Sequence, residues 1–496
     1  MSFAFKTAAA PMRRIRHMNT RSSSQCPFHA GTAAAAPVLH PPGVWPPGPP
    51  AGLTGWGLLR TMSRDLIGAL GDWQRTYGDV VHLRVWPEHA VVVTDPALVR
   101  ELLVTHHDAL GRWERAISVF AEVHGQSVLV AEGDAWRDKR QALQPGFMPK
   151  PVQAFVPAIA ATAGHALAQW PAHDPEWPIE SALTSLAMDV IMRTMFSDTI
   201  GGDARAAEEA VRVVSAAANA AFYQPVNTPS WVPWKRRTAR AMAVLKGVID
   251  RQLHARLDRP ERTWPDDLLS RLLRLHRADA RKWPLRAVHD ECVTAFLAGH
   301  ETTAGALTWW AWCMAANPAV QAAARDEVSR MLGGRAPSSE TRTSLRYLSQ
   351  TLDETLRLYP SAPILISRRA ARPIALGAWQ FPARTLFMLP LQLMQRDPRW
   401  FPEPDTFRPE RFADDAPALP RGAWMPFGTG PRVCLGQHLA MTEMTVVAAM
   451  VLQRYVLSVP PGMAPPRAVL NVTLRPRQAL HLAIAPTGLA ADTVSE

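Results

Sequence analysis

Apolar residues recur at three- and four-residue spacing over most of the chain, a period that predicts helices. Segments 96–105, 133–145, 181–197, 203–222, 236–257 and 265–276 carry it. Asp290–Asn317 is the longest, about 28 residues or roughly 42 Å at 1.5 Å per residue. It is apolar nearly all round, so it belongs in the interior, and Pro318 is placed to close it. Another helix is expected over about 340–358. Period-two alternation is rarer. Asp79–Val85 and Ala90–Thr94 predict a hairpin turning at Pro87-Glu88-His89. Short strands are expected near 363–370, 373–377 and 385–388, and in a terminal β region at 468–484. A proline-rich coil fills 397–432, and a last helix is expected to start near Cys434. The pattern shows no repeat and no second domain. It predicts one large domain, mainly α with small β-sheets (α+β).

Composition changes the picture mainly at the start. Residues 1–36 read as a disordered basic tail, with an organelle transit peptide as the alternative. Pro37–Pro50 holds seven prolines and reads as a stiff extended connector outside the core. The folded domain is expected over 51–488, followed by a short C-terminal tail at 489–496. Net charge is +11, but the seven Lys and Arg of residues 1–64, which precede the first acid Asp65, leave only +4 for the rest. Nucleic acid is therefore not implied as a partner. No run reaches the ~18 apolar residues of a membrane-spanning helix, and a secretory signal is not evident. Four cysteines, at 26, 292, 313 and 434, are too few for a disulfide scaffold and fit a reducing compartment.

Pro426-Phe427-Gly428-Thr429-Gly430-Pro431-Arg432-Val433-Cys434-Leu435-Gly436 is the most informative segment. Its cysteine follows a glycine-bearing loop and opens an apolar helix, where backbone N–H groups favour a thiolate. Glycines let backbone approach a flat group, and Arg432 suits a carboxylate. One cysteine with no second nearby argues against zinc. Ala298-Gly299-His300-Glu301-Thr302-Thr303 interrupts the long apolar helix with an acid and two hydroxyls, which suggests a buried polar site with water. His300 is better read as a hydrogen-bonded core residue than as a ligand. Glu354 and Arg357 are three apart on one helix face, and Arg411 follows in Phe407-Arg408-Pro409-Glu410-Arg411-Phe412. Trp136 and Arg140 share a face four residues apart.

These segments, in this order, resemble the cytochrome P450 family. Phe427, Gly430, Arg432, Cys434 and Gly436 match its Phe-x-x-Gly-x-Arg-x-Cys-x-Gly loop. The resemblance implies the family fold with haem b, iron protoporphyrin IX, between the long central helix and the cysteine loop. Cys434 would be the axial thiolate and the metal ligand. Glu301 and Thr302 would form the acid–alcohol pair that manages protons. Trp136 and Arg140 would meet a haem propionate, as would Arg368 or Arg369, with Arg368 preferred. Glu354, Arg357 and Arg411 would form a buried charge triad bracing the cysteine loop.

The implied function is a monooxygenase that inserts one atom of O2 into an apolar small molecule. Haem-thiolate isomerase or peroxygenase chemistry, and a non-catalytic haem carrier or sensor, are the alternatives. No flavin or nicotinamide motif occurs, so electrons are expected from a separate ferredoxin or flavodoxin with its reductase. Arg137, Lys139 and Arg140 are expected to present a basic docking face to it. Phe120, Phe222, Tyr223, Trp231, Trp234, Phe296, Ile364 and Leu365 fall in segments that touch substrate in the family. Trp231 and Trp234 are read as packing, with an entrance or a membrane surface as alternatives. A monomer in the cytoplasm is expected.

Overall fold

The computed structural model describes residues 40–488 apart from 42, 200 and 224–231. The tails expected at 1–36 and 489–496, and Trp231, lie outside the described residues. The fold is mainly helical with small sheets. Its axis is a helix over Leu285–Ala316, 32 residues long, hereafter the central helix. It starts five residues earlier than its apolar pattern suggests, because Pro284 precedes it and a first turn tolerates polar residues near the surface. Pro318 closes the helix as expected, because the residue before a proline is kept out of the helical region and Asn317 stands at φ −129°, ψ 76°. The proline is also the first residue of the next helix, Pro318–Leu332, where its missing N–H costs no bond.

Helix Ile179–Phe196 crosses the central helix, and Gly299 makes the contact possible. A Cβ there would lie 2.5 Å from Ile191 Cδ1. The helix expected over 340–358 is two, Thr341–Ser344 and Arg346–Leu358, broken at Leu345. The last helix runs over Gln437–Arg454, so Cys434 precedes it and belongs to the loop.

A five-stranded sheet holds, in spatial order, Val80–Val85, Glu88–Val93, Leu386–Leu389, Leu365–Ala370 and Leu110–Arg112. The predicted hairpin is present with a tighter turn, since Glu88 already pairs with Val85. The strand expected at 373–377 is a hairpin of Ile374–Leu376 with Trp379–Phe381. Near the C-terminus, Ala468–Asn471 pairs with Thr473–Pro476. The proline-rich stretch is not a free connector where it is described. Trp45 stacks on His82 and His89 at 4.4 and 4.6 Å, and the Pro47 carbonyl accepts from the His82 N–H. A side chain at Gly48 would strike the His82 carbonyl at 1.9 Å. Prolines lack the donors an edge strand must satisfy, so such a run can lie against a sheet edge and cap it.

Candidate active site

The cysteine loop is closed by its own backbone. The Cys434 N–H donates to the Phe427 carbonyl at 3.0 Å, and the Gly428 N–H to Met425 at 2.8 Å. Gly430, at φ +76°, sits where a Cβ would meet the Leu103 carbonyl at 2.1 Å. Gly436 is different. Its φ is −88° and a Cβ there would meet no protein atom within 4 Å. Neither backbone nor packing demands glycine there, whereas a flat group lying on that backbone would. Cys434 lies deep in the fold yet is accessible, so it lines a recess and is not sealed in packing. Burial pushes its thiol pKa up, while the Gly436 N–H and the Arg140 guanidinium push the other way.

Helix Gly133–Leu143 holds this loop from one side. Arg140 donates to the Val433 carbonyl at 2.8 Å. Trp136 lies beneath Arg432, whose guanidinium is 4.3 Å from its ring centre. Arg432 also donates to the Ala131 carbonyl at 3.2 Å and to Glu132 at 2.7 Å.

The charge triad is tied to the start of the loop through Gln395, whose carbonyl accepts from Arg357 and whose side-chain oxygen accepts from the Met425 N–H. Arg357 makes a two-pronged contact with Glu354, at 2.6 and 2.8 Å, and both side chains are fully buried. Arg411 reaches the same carboxylate at 3.2 Å, and the Arg408 N–H donates to it at 2.9 Å. Arg357 spends its remaining donors on the carbonyls of Gln395, Pro404 and Thr406.

The two adjacent arginines separate cleanly. Arg369 is committed to Glu88 and Glu114. Arg368 turns to the other face of its strand, donates to the Ile366 carbonyl, and is buried near Arg432 and Arg112. Arg112 is a site residue that the sequence pattern does not reveal. It lies on the strand paired with Leu365–Ala370. Its Nε and one terminal nitrogen are buried without a hydrogen-bond partner among the described residues. Burial first, then the Arg432 and Arg368 charges, push its pKa down to about 9. The nearest acid is Glu132, at 3.7 Å. Arg112, Arg368 and Arg432 thus share one acid, and Arg140 adds a fourth positive charge beside them. Such a cluster fits a dianionic group such as the two carboxylates of haem.

On the central helix, the Thr302 hydroxyl donates to the Ala298 carbonyl at 2.8 Å, and Thr302 is not fully buried. Glu301 does not bond Thr302. Its carboxylate accepts from Ser215 and Thr473, each at 3.0 Å, and pairs with Arg475 at 3.1 Å. His300 is fully buried, with Nδ1 2.6 Å from the Phe296 carbonyl. Burial pushes its pKa down to about 4.

The family model described as Cytochrome P450 matches residues 46–483. This chain belongs to that family. A cyclooctat-9-en-7-ol 5-monooxygenase of Streptomyces melanosporofaciens is 32% identical over 398 residues, 78% of this chain and 84% of that protein. The putative cytochrome P450 132 of Mycobacterium tuberculosis is 28% identical over 468 residues, 88% of this chain and 96% of its own length. Protein LUTEIN DEFICIENT 5, chloroplastic, of Arabidopsis thaliana is 26% identical over 432 residues, 82% of this chain and 72% of its own. The chain is a cytochrome P450 monooxygenase with haem as its cofactor, and the recess at Cys434, with its arginines and Gly436, fits that group.

The structure corrects the expected docking face of this P450. Lys139 is not on the surface. Its ammonium pairs with Glu291 at 2.7 Å, with side chains 15% and 1% exposed. Only Arg137 of that trio is well exposed, and it is paired with Asp134. Among residues expected near substrate, Phe120 and Phe222 meet edge to face at 5.8 Å. Tyr223 and Ile364 pack in the cluster beneath the five-stranded sheet. Leu365 lies 3.7 Å from where a Gly428 Cβ would sit. Phe296 is buried in the main core and lines nothing accessible, while Trp234 is exposed. No helix among the described residues is long and apolar enough to cross a membrane.

Proposed function

We propose that this P450 oxygenates an apolar, ring-bearing small molecule, with electrons from a separate ferredoxin or flavodoxin. Haem, when bound, supplies the reductive activation of dioxygen. Cys434 holds the iron through its sulfur. Arg112, Arg140, Arg368 and Arg432 take the propionates, and Trp136 keeps Arg432 in place. Glu354, Arg357 and Arg411 fix the backbone on which the cysteine loop rests. Thr302 moves a proton through its hydroxyl, and Glu301 supplies that hydroxyl by rotating away from Arg475.

The observation that carries this reading is Thr302 itself, a partly accessible hydroxyl between the buried Glu301 and Thr303, on a strip of the central helix that Ala298 and Gly305 also leave open. Thr302→Ala should leave haem content unchanged and divert reducing equivalents into hydrogen peroxide at the expense of product. Acid–base roles are worth about 100- to 10,000-fold, so a fully coupled mutant would reduce Thr302 to a structural role. Cys434→Ser should abolish the long-wavelength Soret band of the ferrous carbon monoxide complex.

The substrate class is supported by the aromatic walls and by a trough of about 910 Å³. It lies between helices Glu114–His124, Ala204–Ala221 and Pro233–Leu257. Its floor is alanine-rich, with Val123 and Met242, under a rim that includes Glu122, Lys235 and Arg237. The Streptomyces relative acts, by its name, on an unsaturated cyclic alcohol, a molecule of this class. The donor's docking face is centred on Arg137, and Arg137→Glu should slow reduction by an acidic ferredoxin in a salt-dependent way. We place the protein in the cytoplasm, in keeping with the free thiols of Cys292 and Cys313.

A further inference from the structure

The turn at 51–55 lies against the tip of the first hairpin. The Gly55 N–H donates to the Ala51 carbonyl at 2.8 Å, and the Trp86 N–H to the Thr54 carbonyl at 2.9 Å. Gly55, at φ +74°, is required, because a Cβ there would lie 2.0 Å from the Arg84 carbonyl oxygen. Helix Trp56–Arg64 leaves this turn with Leu58 and Met62 facing inward. The arrangement gathers three large apolar side chains at one corner and leaves them in water. Leu53 is 95% exposed, Trp56 70% and Trp86 64%. Scattered exposed apolar residues are ordinary. Three on two segments tied by their backbones, two of them tryptophans, mark an interaction surface.

The cations around this corner are free. Trp56, Arg60 and Arg64 stand at i, i+4 and i+8 on one helix face, and Arg84 lies two residues before Trp86 on the first strand. All three arginines are exposed, and none has an ion pair among the described residues. The neighbouring acids are spent. Asp65 caps helix Leu66–Tyr77 through the Gly68 N–H and lies 3.8 Å from Arg467, and Glu88 is held by Arg369. Charge decides the occupant. A second copy meeting this corner by two-fold symmetry would set arginine against arginine. Residues 1–39 hold five Lys or Arg and no Asp or Glu, so they too are repelled by it. An anionic surface is complementary. Leu53 stands clear of its own chain, whereas the anchors of protein interfaces are seated in packed pockets. A projecting leucine among indoles and guanidiniums suits a fluid lipid interface, where indole rings lie at headgroup level.

We propose that this corner docks the protein onto an anionic lipid bilayer surface. Leu53, Trp56 and Trp86 enter the headgroup layer, and Arg60, Arg64 and Arg84 meet the lipid phosphates. The protein lies on the bilayer and does not cross it, in keeping with the absence of a spanning helix among the described residues. Each arginine near an anionic surface is worth about fivefold in binding, so the three together distinguish anionic from neutral lipid by about 100-fold. The apolar side chains give the contact a part that salt does not screen.

The test is co-sedimentation of the full-length haem-loaded protein with vesicles of phosphatidylcholine alone, or of equal parts phosphatidylcholine and phosphatidylglycerol. The wild type should bind the mixed vesicles about 100-fold more strongly. Leu53→Asp, and Trp56→Ser combined with Trp86→Ser, should each weaken that binding at least about tenfold. Arg60→Gln combined with Arg64→Gln should weaken it about 25-fold and leave binding to phosphatidylcholine unchanged. The ferrous carbon monoxide band should be intact in every variant. If the tryptophan variant does not accumulate with haem, Leu53→Asp, at a position 95% exposed, carries the test. No binding to the mixed vesicles would overturn the proposal. So would binding that survives the apolar variants, the result expected if the cations of residues 1–39 act alone. Two further results would overturn it, each with vesicle binding unchanged by Leu53→Asp. Self-association abolished by that variant would give the corner to a second copy, and slower reduction by an acidic ferredoxin would give it to a protein partner.

Discussion

Two buried arginine clusters lie within reach of the cysteine loop, and they follow opposite electrostatic plans. Around Glu354, donors and acceptors balance. One carboxylate accepts from Arg357, Arg411 and the Arg408 backbone, and Arg357 exhausts its remaining donors on carbonyls. Around Arg112 they do not. Arg112, Arg368 and Arg432 share Glu132, Arg140 adds a fourth charge beside them, and two Arg112 nitrogens have no hydrogen-bond partner among the described residues. A saturated cluster has nothing to offer a ligand and serves geometry. An unsaturated one carries a cost that an arriving dianion relieves. The contrast separates brace from binding site without reference to spacing.

The largest expected effect lies in the saturated cluster. Glu354→Ala should leave Arg357 charged, fully buried and unpaired, at a cost of about 3–5 kcal/mol. Urea unfolding should show this, and holoprotein yield should collapse. Stability near wild type would mean that the triad is not a unit.

In the unsaturated cluster the sign differs. Arg112→Leu or Arg368→Leu should cost haem affinity, about 1.5–3 kcal/mol for each charge-assisted bond lost. The haem-free fold should be no less stable, because each change removes a buried like charge. Haem transfer to apomyoglobin measures the first quantity and denaturation of apoprotein the second.

Arg369→Leu sharpens the same point one residue away. It should destabilise the fold by about 1–2 kcal/mol through loss of Glu88 and Glu114, and leave the haem transfer rate unchanged. A faster transfer would assign Arg369 to the site after all.

Smallest of all should be Glu132→Gln. Arg432 keeps its aromatic seat on Trp136, so the loss should be about 0.5–1 kcal/mol. It should fade in high salt, as thermal melts at two ionic strengths would show.

Parts of this site are legible because they are local. Cys434 with its glycines, Trp136 with Arg140, and Glu354 with Arg357 each lie within one loop or one helix turn, where spacing dictates proximity. Arg112 is illegible for the opposite reason. It stands alone in Leu110-Gly111-Arg112, and it joins Arg368 only because a three-residue strand pairs in register across the chain. Lys139 could have been read better. An α-helix advances about 100° per residue, so Arg137 and Lys139 point nearly opposite ways. One face meets solvent and the other meets Glu291. The acid–alcohol pair is visible as residues, but not the partners of Glu301. Ser215 lies 86 residues before Glu301 and Thr473 lies 172 residues after it, and only the fold brings them to one carboxylate.

By itself, then, the sequence determined the family, the thiolate loop, the long buried helix and the order of elements, because hydrophobic period and short motifs act over a few residues. Tertiary structure alone decided which charges are spent and which are spare. Pairing is a three-dimensional ledger: Arg368 and Arg369 are chemically identical neighbours, and strand alternation sends one to the haem arginines and the other to Glu88.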